Sequence, residues 1–203
     1  MIKPKHNCQW FEINTVHQLL PNVKTPPVPV PREFYDVLDN ESYQAINVAG
    51  DGWCGYYVLQ FIKYMRSGNI MKKEDIRKQL NDIVISAEKS VVRPHWLEIQ
   101  EFALIGRADQ FNVAALIKRD GQYVIEVYCY NPMFKGWFFP ILRDNVHYQL
   151  LCARYAKQLC IQFDTSSTMK IFEAFGYPFP IESVDPEYYL QHYNAIEDRL
   201  YMS

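Results

Sequence analysis

The sequence predicts an α+β fold, with helices packed on a small, mostly antiparallel sheet. Three observations lead there. Apolar residues recur at helical spacing from Tyr56 to about Ala108. From Phe111 the pattern changes to short runs of β-branched and aromatic residues. Between two of those runs stands Asp120-Gly121, a two-residue hairpin signal. A helical block followed by a strand block points to segregated α+β architecture rather than alternating βαβ units.

The elements follow in order. Residues 1–20 form a polar and aromatic lead-in without clear periodicity. Pro21, Pro26, Pro27, Pro29 and Pro31 exclude a helix over 21–32 and suit an extended polyproline path. We read this path as a stiff surface connector, with a docking segment for an SH3-type partner as the alternative. Residues 33–40 suggest a short helix with Phe34, Val37 and Leu38 on one face. Gly50-Asp51-Gly52 forces a turn, and Trp53-Cys54-Gly55 follows it. A helix from Tyr56 carries Val58, Leu59, Ile62 and Met65 on its apolar stripe, and Gly68 stops it. A second helix spans 72–89 with Ile76, Leu80, Ile83 and Val84 inward. Pro94 opens a third, through Ala108, carrying Trp96, Ile99 and Ala103. Strands are predicted over 111–117, 123–130, 137–142 and 146–153. Asp185-Pro186 reads as a cap and first helical position, with a helix continuing to Leu200. The chain thus divides into a lead-in over 1–42, a core over 43–153, and an extension over 154–203 packed on that core.

Bulk composition narrows the function. With 203 residues, 49% hydrophobic and 15% aromatic, the chain can bury a real core. A formal net charge of -2 gives no electrostatic case for nucleic acid or an anionic membrane surface. No apolar run approaches the roughly 20 residues needed to span a bilayer, and the first residues lack a signal-peptide core. Five cysteines, widely spaced and without a Cys-x-x-Cys pair, argue against a disulfide framework or a structural zinc site. A reducing cytosol fits that pattern.

Cys54 then needs an explanation of its own. A glycine turn delivers it to the start of an apolar helix, where free backbone N–H groups and the helix dipole stabilise a thiolate. The same N–H groups, with those of Asp51 and Gly52, can bind an oxyanion. Flanking glycines leave room for a substrate chain. Such a cysteine requires a histidine to become a useful nucleophile. Of His6, His17, His95, His147 and His192, only His147 opens an apolar strand, which can hold an imidazole rigidly beside a helix-borne sulfur. Alone it would pass for a core histidine satisfied by backbone groups; beside the cysteine motif it is the candidate base. Cys129 and Cys152, in predicted strands, read as small core hydrophobes.

Asp-Gly-Trp-Cys-Gly at a helix start, the stretch His95-Trp96-Leu97-Glu98-Ile99, the strand at 111–117 and His147-Tyr148 occur in that order. Together they resemble the ovarian-tumour (OTU) family of cysteine peptidases, over about residues 43–153. The resemblance implies a papain-like fold and a thiol protease that hydrolyses ubiquitin linkages. It makes Cys54 the nucleophile, His147 the general base and acid, and Asp51 a builder of the oxyanion site. It implies no metal or organic cofactor, and a monomer whose partner is ubiquitin or a ubiquitin-like protein. Many family members place Asp or Asn two residues after the histidine; here that position is Gln149. The OTU-like peptidases of some RNA viruses are similar in using an upstream Asn, as Asn47 here, and a glycine after the cysteine, as Gly55. Asn47 therefore ranks ahead of Gln149 as the residue that orients His147, and Asn145 ranks third. A viral or bacterial effector of this kind would act in the host cytosol. Glu98, Glu101 and Asp109 are candidates for an acidic rim suited to ubiquitin's basic tail, or ordinary solvated helix residues. The competing readings are a polyprotein-processing peptidase of the same fold, a catalytically dead ubiquitin-binding module, and an unrelated Cys–His hydrolase.

Overall fold

The computed structural model describes residues 9–86 and 96–188. Its strands are β1 (Phe11–Glu12), β2 (Val23–Val28), β3 (Tyr43–Val48), β4 (Asn112–Arg119), β5 (Gln122–Cys129), β6 (Trp137–Phe138), β7 (Pro140–Arg143), β8 (His147–Tyr155) and β9 (Gln158–Cys160). They form one sheet. Its helices are α1 (Ile13–Leu19), α2 (Cys54–Ser67), α3 (Lys73–Ser86), α4 (Ile99–Asp109) and α5 (Thr165–Ala174), with a 3-10 turn at Arg32–Phe34. The pairing is antiparallel except where β6 and β7 run parallel to β4. A mixed, mostly antiparallel open sheet with helices on it is the α+β class the sequence predicts.

Strand β8 organises the sheet. It pairs with β3 through Leu150 to Ala153 on one edge, and with β7 and then β9 on the other. Buried on both faces, it reads as a continuous apolar run. Tyr148, Leu150 and Cys152 face a core built with α2, α3 and α4, where Leu59, Ile62, Ile76, Leu80 and Phe102 meet Val113 and Ala115 of β4. Leu151 and Ala153 face a second core with Ala114, Leu116, Trp137, Phe139, Phe163 and Phe172. Aromatic edges close this second core: Phe172 and Phe179 lie 5.9 and 5.5 Å from Trp137.

The hairpin at Asp120-Gly121 forms as predicted, with both residues at positive φ, 49° and 80°. Gly68 ends α2 at φ 75°. Cys129 and Cys152 are free, buried thiols, and burial pushes each up to about 12. One cysteine departs from the expectation of free thiols: Cys160 is disulfide-bonded, and its partner lies outside the described residues.

Several elements differ from the sequence reading. The proline-rich segment is extended, but it is not a surface connector. Val23 and Lys24 pair with Val48 and Asn47, Val28 pairs with Ala45, and Val23, Pro27, Val30 and Pro31 are buried. Prolines lack an N–H, so the ladder breaks between Lys24 and Val28, where the Thr25–Pro26 bond is cis. The lead-in before it holds β1 and α1, and β1 pairs with β9. Residues 33–40 form the 3-10 turn and further turns rather than an α-helix, with Phe34 and Leu38 still buried. The third helix starts at Ile99 because Glu98 and Glu101 form a reciprocal capping box there. Trp96 precedes it, 65% exposed, and is not on a buried stripe. Asp185 does cap a helical turn, accepting from the Glu187 N–H at 2.9 Å. The expected roles of Pro94, His95, residues 87–89 and the helix beyond Tyr188 lie outside the described residues. No helix of the described residues is long and apolar enough to cross a membrane.

Candidate active site

Two neighbouring strands and one helix meet at one end of the sheet. Strand β3 ends at Val48, and the antiparallel β8 begins beside it with His147. Six residues after Val48, the turn delivers Cys54 as the first residue of α2. Cys54 and His147 line the same cleft, of about 350 Å³, together with Gly50, Gly52, Trp96 and Glu98. A methyl group on Gly50 would sit 3.8 Å from Cε1 and 3.9 Å from Nδ1 of His147. The Nδ1 edge of the imidazole thus faces the turn that carries Cys54.

The turn is held by Asp51. Its carboxylate accepts from the Trp53 N–H at 3.1 Å and from the Tyr57 hydroxyl at 2.6 Å. Tyr57 in turn accepts from Lys73 Nζ at 3.2 Å. The Tyr57 bond holds the Asp51 carboxyl below its ordinary range. Asp51 does not itself line the cleft; its two bonds hold the loop that leads to Cys54. The Cys54 N–H donates to nothing among the described residues and is free to meet an oxyanion.

Gly55 explains the closeness of the cleft wall. A Cβ there would lie 2.9 Å from Leu97 Cβ and Cδ2 and 3.2 Å from Tyr148 Cδ2. The missing side chain lets Leu97 press against the start of α2. Tyr148 fixes Leu97 from the other side, donating from its hydroxyl to the Leu97 carbonyl at 2.8 Å and stacking on Phe102.

His147 is oriented through its other nitrogen. Nε2 lies 2.8 Å from Asn47 Oδ1. Gln149 makes no hydrogen bond to the imidazole; its Nε2 donates to the same Asn47 Oδ1 at 3.1 Å. Gln149 Oε1 accepts from Arg143 Nη1 at 3.1 Å, and Nη1 also donates to the Pro29 carbonyl at 3.2 Å. Burial first, then the positive charges of Lys24 and Arg143, hold the His147 pKa below its ordinary value.

The remaining expected residues divide: Asn145 and Glu98 line the cleft, and Glu101 and Asp109 do not. Asn145 is not on the His147 strand: it sits in the β7–β8 turn at φ 61°, and its amide is bonded to both backbone groups of Lys118. The left-handed conformation of Asp144 and Asn145 closes the hairpin and turns that side chain toward β4. Of the three candidate acidic-rim residues, only Glu98 lines the cleft. Glu101 is 3% exposed and bonds the Glu98 N–H, and Asp109 is engaged by Lys63 and Gln79. Arg143 was not among the expected residues. The Asp144-Asn145 turn signals a hairpin, but three residues separate the pair, and only the observed register sets Arg143 opposite His147. Among the described residues no group of three or more His, Cys, Asp or Glu is placed to hold a metal ion. The sequence matches no protein-family model and no curated protein.

Proposed function

We propose that the protein is a cysteine peptidase that cuts after the C-terminal glycine of ubiquitin or a ubiquitin-like protein, in the manner of the OTU family. The observation that carries the reading is the orientation of His147. Asn47 engages Nε2, which leaves Nδ1 on the edge of the ring beside Gly50, in the cleft that Cys54 also lines. That is the arrangement a thiol nucleophile requires of its base.

In this reading Nδ1 of His147 takes the Cys54 proton, and the thiolate attacks the scissile carbonyl. The Cys54 N–H receives the oxyanion. The imidazolium then protonates the departing amine, leaving a thioester on Cys54. Water, deprotonated by His147, attacks that thioester and releases the carboxylate and free enzyme. Gly50 and Gly52 leave room for a substrate chain in the cleft, and Gly55 lets Leu97 close its wall, which favours a chain ending in glycines. Glu98 stands where it can meet a basic residue of the tail. We place the activity in the cytosol; the disulfide at Cys160 is the feature that pulls against that compartment.

A ubiquitin probe with a cysteine-reactive C-terminus tests the reading. A covalent adduct is expected with the full chain and none with Cys54→Ala. Absence of any adduct, with ubiquitin-like probes included, would sink it.

A further inference from the structure

We propose that Arg143 is a positioning residue that fixes the tautomer of His147, acting through Gln149 and Asn47. The starting point is a group without choice. A guanidinium has donors only, so Arg143 obliges Gln149 to present its amide oxygen, at 3.1 Å. The Gln149 nitrogen is thereby turned the other way, and it donates to Asn47 at 3.1 Å. Asn47 must then present its oxygen. That same oxygen lies 2.8 Å from His147 Nε2, so Nε2 carries the hydrogen. Nδ1 is left with its lone pair, on the edge of the ring that faces Gly50, in the cleft that Cys54 also lines.

Each amide on this path could be reversed in isolation. Arg143 removes the freedom of both. The path is anchored at its far end, because the same Arg143 nitrogen donates to the carbonyl of Pro29. The proline-rich segment therefore braces the relay, and Gln149, 3% exposed, is shielded from water that could substitute for it. A neutral orienting set does here by fixed hydrogen-bond polarity part of what a carboxylate does by charge.

Two variants and two controls decide it. Arg143→Met frees the Gln149 amide to rotate. Gln149→Glu supplies a carboxylate, which only accepts; Asn47 must then turn its NH2 toward both neighbours and force His147 to the Nδ1–H form. Arg143→Lys keeps a donor-only group. Lys24→Met removes the other cation beside His147, on β2 opposite Asn47, without touching the relay. The readout is long-range 1H–15N spectroscopy of the full-length protein labelled in histidine, at neutral pH, with the His147 signals assigned by His147→Ala.

The wild type and both controls are expected in the Nε2–H form. In Arg143→Met the ratio of Nε2–H to Nδ1–H should fall about tenfold, the weight of a hydrogen bond's preference. In Gln149→Glu the ratio should invert. A ratio that moves by less than about twofold in Arg143→Met, with an unchanged circular dichroism spectrum, would overturn the proposal even if Gln149→Glu fails to fold. The consequence for catalysis rests on the peptidase reading, and kcat in Arg143→Met should fall about tenfold with KM unmoved. The two ideas fail separately. A wild-type Nε2–H tautomer lost in Arg143→Met, without any ubiquitin adduct, keeps the relay and removes the peptidase. An adduct that depends on Cys54, with a tautomer indifferent to both variants, does the reverse.

Discussion

At the scale of single residues the site is set by what surrounds His147. Its imidazole is half-buried and faces two cations, Lys24 and Arg143, all of which oppose protonation, so its pKa lies below 6.5. The sign for stability follows: a depressed histidine contributes stability that is present above 6.5 and lost as pH falls through the folded value. The sign for catalysis is the same. The acid limb of kcat/KM, measured with a fluorogenic ubiquitin substrate, should lie below 6.5, and Lys24→Met should move it upward. A limb at or above 6.5 that ignores Lys24→Met would mean that the Cys54 thiolate, rather than burial and the two cations, governs the ring. Cys54, His147 and Asn47 were legible in the sequence because each is announced locally: a glycine turn, a strand start, and an upstream amide of a known pattern. Arg143 was not, because its partner is reached only through the register of a hairpin. Asn145 misled for the complementary reason. Counting back two residues from His147 assumes a continuous strand, and a left-handed turn intervenes.

At the scale of elements the sequence was most readable where periodicity was undisturbed and least where prolines or polar caps interrupted it. Helices α2 and α3 show their period plainly, and strands β4, β5 and β8 show as runs of β-branched, aromatic and apolar residues. Strand β2 does not, since prolines suppress the ladder over its middle and only Val23, Lys24 and Val28 keep the register. Helix α5 begins with Thr165-Ser166-Ser167-Thr168, which hides its apolar stripe, although Asp164 accepting from the Ser167 N–H at 2.8 Å is an ordinary cap. The junction of α2 with the segment before α4 carries a direct prediction. Gly55→Ala adds a methyl group within 2.9 Å of two Leu97 atoms, one of them the Cβ, which cannot swing away. Overpacking of this kind costs about 1–3 kcal/mol. The variant should lose that much in urea denaturation and should also widen the cleft, raising KM for ubiquitin substrates. A neutral result would show that the 96–98 segment yields freely, and that Leu97 is not a fixed wall.

At the scale of the molecule, residues 43–153 looked like a core with a lead-in and an extension attached, yet the sheet draws on all three. β3 is flanked by β2 from the lead-in, and β8 by β9 from the extension. The second core depends on the flanks more heavily. Trp137, Phe139, Leu151 and Ala153 are covered by Phe34 on one side and by Phe163, Ile171 and Phe172 on the other, none of which lies within 43–153. A fragment limited to 43–153 would expose that apolar face, leave β3 with an unpaired edge and lose the Pro29 carbonyl that braces Arg143. Such a fragment is expected to aggregate, or to keep helical circular dichroism without a cooperative transition, whereas the full chain unfolds cooperatively. Thermal denaturation followed at both far- and near-ultraviolet wavelengths distinguishes these outcomes. A fragment that melts cooperatively and still labels with the ubiquitin probe would show the flanks to be accessories. If it fails as expected, the proline-rich segment and the residues just after 153 belong to the fold that brings Cys54 and His147 together, because residues 43–153 alone leave one face of the sheet uncovered.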